Sequence, residues 1–330
     1  MPITGLGPHG ERAAPPSRLT LTPDDVAAAE GRHFKVAIVL HTGESDWSRQ
    51  QLAGIVGTLG DCTAIVTEVV DCGFRADAQI AALERLSREP LDAIISIPVG
   101  NAAVADAHRK VSRAGIRLIL HDNVPTGMLP GMDYTSLISA DNFGLGLIGA
   151  ELLAPHVPKG GEIGLMTYGV DFYATNEREI AFGRWMVAQR PDLTVRTIRF
   201  PSLEAVRETT LSMIEANPGL AGLFVVWDTP AMEAIAALEG AEHNLPVTTV
   251  DLGREAAICL AQERLVVGIA AQQPFQQGVA VAEAAILSLL GRTVPGWIAL
   301  PGLAVTKDNV AESYQTVWRS HAPQEILAAL

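Results

Sequence analysis

Short apolar runs alternate with helix-patterned stretches along most of this chain, and that alternation limits the fold more than any other feature. The first pair shows the form. Phe34–Gly54 reads FKVAIVLHTGESDWSRQQLAG: an apolar run from Val36 to Leu40 breaks into a polar turn, His41 to Asp46, and a helical pattern starts at Trp47. Such a stretch predicts a buried strand feeding a helix, with polar groups and one large aromatic at the strand's C-terminal end.

The unit then repeats. Strands are predicted at Lys35–Leu40, Ala64–Val70, Ala93–Ile97 and Arg117–His121, with helices at Trp47–Leu59, Ala76–Arg88 and Ala102–Ala114. A further extended run, Tyr134–Ser139, leads into a helix over Asp141–Ala154 that Asp141 can cap. The second series has strands at Glu162–Thr167, Thr194–Phe200, Gly222–Val226, Val247–Val250 and Val267–Ala271. Its helices are Tyr173–Gln189, Leu203–Ala216, Thr229–Leu238, Arg254–Gln262 and Pro274–Leu290. Trp297–Thr306 is extended and Pro-flanked, with the length of a strand pair or a crossover. Two successive βαβ series predict an α/β fold of two doubly wound, Rossmann-like parallel-sheet lobes with right-handed crossovers. Open sheets of this kind bind ligands outside the C-terminal ends of their strands.

Composition narrows the function classes. The 330 residues suffice for two domains, and with 48% hydrophobic but only 5% aromatic content the core is aliphatic. The formal net charge is −13, with no cluster of Lys or Arg, which argues against a nucleic-acid surface or docking on anionic lipid. Of the three cysteines, Cys62 and Cys72 bracket an extended run whose ends lie roughly 20 Å apart, too far for a disulfide. No run reaches the roughly 18 apolar residues of a membrane span, so direct membrane insertion is not expected.

Residues 1–33 are rich in Pro, Gly and charge and read as a flexible tail, with one short helix over Leu21–Glu30 capped by Thr22 and started by Pro23. Gly5-Leu6-Gly7-Pro8-His9-Gly10 matches GxGxxG by letter but follows no strand and opens no helix, so it carries no nucleotide reading. The tail has no apolar h-region and is not an intact secretory signal. The compartment that leaves is the periplasm or cell envelope if a leader has been removed, and the cytoplasm otherwise. There is no GxSxG elbow, HExxH, Walker loop or Cys–His metal spacing, so no catalytic residue, metal or cofactor is expected. His41 and His121 both end first-lobe strands and can lie near each other at the cleft, where such polar positions read as wall or hinge contacts more often than as a metal or acid–base pair.

In order and spacing, several blocks resemble the type I periplasmic sugar-binding proteins, the ribose-binding group in particular. They are the first strand and turn with Trp47, LILHDNVP at Leu118–Pro125, SADNFGLG at Ser139–Gly146, NEREIAF at Asn176–Phe182, WDTPAMEAI at Trp227–Ile235, VDLG at Val250–Gly253, and AAQQPFQQG at Ala270–Gly278. The resemblance covers about Phe34 to Thr306. It implies two lobes joined by a three-segment hinge, with ligand in the cleft. Residues 34–140 with 273–298 would form the N-terminal lobe, and 141–272 with 299–330 the C-terminal lobe.

The resemblance also implies the site residues. Trp47 matches an aromatic that stacks on the apolar C–H face of a sugar. Ser45 and Ser48 flank it as wall positions. Asp122 and Asp251 match carboxylates that accept hydroxyl hydrogen bonds, and Gln272 matches a hinge amide. Trp227 is a second candidate wall, and Asp228 is either a ligand acceptor or a helix cap. Asn123 and Asn176 stand where the ribose group has arginines. Arg178 either reaches the cleft or pairs with Glu179 or another surface acid. Carboxylates facing tryptophans with little aligned positive charge favour a neutral sugar or polyol, and a cationic ligand is the alternative. The expected function is that of a monomeric, non-enzymatic solute receptor whose partner is an ABC permease. The competing reading is the ligand-sensing domain of a lac-repressor-type regulator without its DNA-binding part.

Overall fold

The computed structural model describes residues 2–330. Helix α1 (Pro23–Glu30) precedes the first series: β1 (Lys35–Leu40), α2 (Asp46–Asp61), β2 (Ile65–Asp71), α3 (Ala76–Leu86), β3 (Ala93–Ser96), α4 (Ala105–Arg113), β4 (Arg117–His121) and β5 (Ser136–Ala140). The second series is α5 (Asn142–Leu153), β6 (Glu162–Tyr168), α6 (Tyr173–Gln189), β7 (Thr194–Phe200), α7 (Val206–Ala216), β8 (Leu220–Val225), α8 (Asp228–Gly240), β9 (Val247–Val250), α9 (Arg254–Ala261) and β10 (Val266–Ala271). The chain closes with α10 (Pro274–Leu289), β11 (Trp297–Leu300), β12 (Leu303–Val305), α11 (Val310–Trp318) and α12 (Gln324–Leu327).

The strands form two six-stranded sheets, ordered β11-β5-β4-β3-β1-β2 and β12-β10-β9-β8-β6-β7. Strand β12 runs antiparallel to β10, while the other pairings are parallel. The apolar runs become the buried central strands, β3 and β9 being buried throughout, because helices cover both faces. Edge strand β2 instead alternates exposed and half-buried residues. The chain passes between sheets after β5, after β10 and between β11 and β12. Trp297–Thr306 is thus a strand pair divided between the two lobes, and its first strand stays in the first sheet through Leu300, past the expected boundary at 298.

Two helix seams set the cleft walls. Helices α2 and α10 pack through reciprocal glycines. A Cβ at Gly278 would lie 2.2 Å from the Gln51 carbonyl oxygen, and one at Gly54 would lie 2.3 Å from that of Phe275. In the second lobe α5 meets α6 the same way, since a Cβ at Gly146 would lie 2.3 Å from the Arg178 carbonyl oxygen. Each seam fixes a helix that starts at the cleft.

Residues 2–33, expected as a flexible tail, are packed against the folded body. Helix α1 has the expected Thr22 cap, closed into a capping box by Asp25, and Leu19 is fully buried. Upstream, the Ala14 amide donates to the Trp297 carbonyl (3.0 Å), and Tyr173 Oη donates to the Leu6 carbonyl (2.7 Å). The Thr4 and Gly5 amides reach the Asp141 carboxylate at 2.7 and 3.0 Å. The first amide of the GxGxxG-like stretch, that of Gly5, therefore holds a protein carboxylate. The tail's polar composition concealed this, because its contacts are mostly backbone hydrogen bonds rather than a periodic apolar face. The C-terminal helices α11 and α12 also lay outside the expectation; they bury Val317, Trp318 and Ile326 against the second core. All three cysteines are buried and free.

Candidate functional site

Strand ends from both sheets converge on one cavity of about 220 Å³. From the first lobe it is lined by His41 and Thr42 after β1, Ser45 and Trp47 at the start of α2, Phe74 after β2, and Asp122 after β4. The second lobe contributes Tyr168 and Phe172 around the end of β6, Thr175 and Arg178 on α6, Trp227 and Asp228 after β8, and Asp251 after β9. Gln272 comes from the hinge.

The two carboxylates that face each other across the lobes share a backbone conformation. Asp122 has φ 57° and Asp251 φ 72°, the left-handed region that Asp adopts more readily than most residues and that recurs at functional sites. Each is buried and each is held. Asn142 Nδ2 lies 3.4 Å from Asp122 Oδ1, and Gln272 Nε2 donates to Asp251 Oδ1 at 2.6 Å. Behind Gln272 the relay continues, Gln277 donating to it (3.2 Å) and Gln51 donating to Gln277 (3.4 Å). The second-lobe carboxylate is thus tied to the α2–α10 seam of the first lobe.

Asp228 joins this group, and its Oδ2 accepts the Gly253 amide at 2.8 Å. Burial pushes both Asp228 and Asp251 above the ordinary carboxylate range, helped at Asp228 by the charge of Asp251 and at Asp251 by that of Asp122, against the lowering effect of Arg178 and Gln272 on Asp251. A carboxyl whose pKa is raised by folding costs stability as pH rises above its unfolded value. Asp228→Asn is therefore expected to raise the unfolding free energy of the ligand-free protein by about 1–2 kcal/mol at pH 8 and by little at pH 4. Chemical denaturation at the two pH values checks this, and an equal change at both would contradict it.

Seven of the ten expected residues line the cavity: Ser45, Trp47, Asp122, Trp227, Asp228, Asp251 and Gln272. Ser45 also caps α2, accepting the Ser48 amide at 3.1 Å. The other three stand outside the cavity wall. Ser48 is fully buried and receives the Ser45 hydroxyl. Asn123 bridges the lobes instead, donating to the Pro98 carbonyl (3.1 Å) and accepting the Tyr173 amide (2.9 Å). Asn176 donates to Asp171 (2.7 Å).

The cationic fork comes from Arg178. Its Nε and Nη2 donate to Asn142 Oδ1 at 3.0 and 2.9 Å, and Nη1 donates to the Val226 carbonyl at 2.9 Å. On a helix, positions 174, 175 and 178 share a face, whereas 176 is turned away. Helical geometry read on α6 would have preferred Arg178 to Asn176. The alternative partner Glu179 is engaged by Arg199 at 2.6 Å.

The aromatic walls are already packed on the protein. Trp47 stacks on His121 (ring centroids 5.9 Å, interplanar 9°), and Trp227 meets Tyr168 edge-on at 5.3 Å. His41 lines the cavity as a strand-end wall position, whereas Phe74, Tyr168 and Phe172 did not figure among the expected contacts. The available signal was their position just beyond strand ends. Among the described residues no group of three or more His, Cys, Asp or Glu could hold a metal ion, and no helix is long and apolar enough to cross a membrane.

A profile of the periplasmic binding protein domain family matches residues 36–293. The ribose import binding protein of Bacillus subtilis (strain 168) is 23% identical over 236 residues, covering 71% of this chain and 74% of its own. Among solved structures, an ABC transporter solute binding protein from Agrobacterium vitis, bound with alpha-D-tagatopyranose, superposes with a TM-score of 0.80 at 22% identity, over 88% of this chain and 100% of that one. A carbohydrate transporter solute binding protein from Agrobacterium radiobacter in complex with D-arabinose gives 0.78 at 18% identity, over 86% and 99%. A second Agrobacterium vitis solute binding protein, with bound D-fucose, gives 0.79 at 19% identity, over 86% and 99%.

Proposed function

Because this chain belongs to the periplasmic binding protein domain family, we propose that it is the solute-binding component of an ABC importer and takes a small neutral sugar or polyol in the cleft between its lobes, without chemistry. The observation that carries this reading is the pair Asp122 and Asp251, presented from opposite lobes into one cavity beside aromatic side chains. Carboxylates accept hydroxyl hydrogen bonds and flat rings cover the C–H faces between them. The cavity volume, about 220 Å³, is below the range for drug-sized ligands and suits a monosaccharide-sized one. The relatives that carry tagatose, arabinose and fucose support the same class.

The ligand contacts proposed are Ser45, Trp47, Asp122, Trp227, Asp228, Asp251 and Gln272, with Arg178 added. Closure of the lobes on the ligand would form the surface that an ABC permease reads, and a ligand favours closure by its differential affinity for the closed form. The receptor works as a monomer in the periplasm or cell envelope. The net charge of −13 supports a role without nucleic acid.

A thermal-shift screen of pentoses, hexoses and sugar alcohols tests the proposal. At a hundredfold excess over Kd the cognate compound is expected to raise the unfolding midpoint by roughly 4 °C. Stabilisation by amines or organic acids alone would overturn the neutral-polyol reading.

A further inference from the structure

His41 is a cleft residue enclosed by aromatic side chains, and its Nδ1 makes no hydrogen bond within the protein. It follows β1 directly, lines the cavity and is 9% exposed. Its ring is gripped by three aromatic neighbours: Phe74 edge-on at 5.0 Å, Trp47 edge-on at 5.6 Å, and Phe172 at 6.3 Å. Its Nδ1 is buried without a hydrogen-bond partner. A buried polar atom left unpaired is a standing cost to the fold, and a phenylalanine would satisfy this aromatic cage better.

The ring's protonation follows from its setting. Burial, with a contribution from nearby His121, pushes the imidazole pKa down to about 3, so it is neutral at physiological pH and carries one N–H. An enclosed N–H without an acceptor is rarer in proteins than an enclosed acceptor without a donor. That places the proton on Nε2, away from the enclosed Nδ1.

We propose that His41 is a specificity-determining residue of the ligand site, whose Nε2–H donates a hydrogen bond to one ligand oxygen. This inference rests on the binding function proposed above and adds a residue that the family resemblance did not supply. The case is one of complementarity. The cavity is rich in acceptors, with Asp122, Asp228 and Asp251 all lining it. Its main cationic donor, Arg178, is already engaged by Asn142 and the Val226 carbonyl. Hydroxyl hydrogens can satisfy the carboxylates from several directions, so the carboxylates grip many polyols alike. A ring clamped by three aromatic side chains offers one N–H in one direction. It pairs only with an oxygen at the matching height and stereochemistry, and a ligand without that oxygen leaves the donor buried and unpaired.

The experiment measures Kd by calorimetry for the best hit of the screen and for its epimers, in the wild type, His41→Phe and His41→Gln. His41→Phe is expected to fold with an unchanged or higher thermal midpoint, to bind the best hit tenfold to a hundredfold more weakly, and to lose most of the discrimination among epimers. His41→Gln, which restores a donor, is expected to recover part of both. Unchanged affinity and epimer ranking in His41→Phe would overturn the inference. Equal losses in both variants with the ranking intact would also overturn it, since they would mark a packing role. Failure of the proposed function appears in the wild type alone, as absence of any neutral hit. Failure of this inference appears in the ratio of variant to wild type.

Discussion

Gly278→Ala is expected to lower the unfolding free energy by about 3 kcal/mol or more, near the top of the range for overpacking substitutions. The new Cβ would stand 2.2 Å from the Gln51 carbonyl oxygen, a main-chain atom that no rotamer change can move. Alanine's better helix propensity offsets only about 1 kcal/mol of this. Relief requires α10 and α2 to separate, and that shifts Trp47 and Gln272 together, so ligand affinity should fall along with stability. Gly57 is the control. It lies on α2, the other helix of the seam, and a Cβ there would meet nothing within 4 Å. Gly57→Ala should therefore stabilise by about 0.5–1 kcal/mol. Urea denaturation of the two variants reads both signs, and a Gly278→Ala protein within 1 kcal/mol of wild type, a threshold set by ordinary surface effects, would refute the tight seam.

Asp251→Ala and Asp122→Ala are each expected to weaken ligand binding by about a hundredfold or more while leaving the protein folded. A hydrogen bond to a charged group contributes about 1.5–3 kcal/mol, and every 1.4 kcal/mol is a factor of ten in Kd. Two bonds per carboxylate reach the stated loss. Asp251→Ala carries a further effect, because it leaves the Gln272 amide without its partner at 2.6 Å and so loosens the glutamine relay to α2. Calorimetric titration of the screen's best compound, with circular dichroism to confirm folding, decides the matter. Unchanged affinity in both variants would remove these two residues from the proposed site.

The fold could be read from the chain because its signals are local. The strands predicted at Lys35–Leu40, Arg117–His121, Thr194–Phe200 and Val247–Val250 are the strands of the structure residue for residue. Thr22 and Asp141 cap the helices their positions announced. The lining of the candidate site was readable where it depended on strand ends, as at Asp122 and Asp251. It was not readable where it depended on which face of a helix turns inward: Arg178 and Asn176 differ by two positions, and only the first meets the cavity. Nor could local pattern reveal that Asn123 spans the lobes to the Tyr173 amide, since its partner lies fifty residues away. The N-terminal segment departs from its flexible reading because Pro and Gly do not by themselves confer freedom. Here they shape a chain that lies along the body and is held by main-chain hydrogen bonds.

That segment has a bearing on solubility as well as on the lobes it touches. Strand β11 closes one side of the first sheet, and its four residues, Trp297 to Leu300, are all buried and apolar. Left bare, such a strand would offer unpaired main-chain groups on an oily surface, a template for the strands of other molecules. Ala14 occupies that position, bridged in parallel to Ile298, and the proline-rich residues around it cannot extend the ladder further. The opposite edge, β2, is defended differently, by charged Glu68 held by Arg85 at 2.8 Å. The first sheet therefore ends in a guarded border on each side, and on one side the guard is supplied by residues that lie ahead of the stretch the family profile matches.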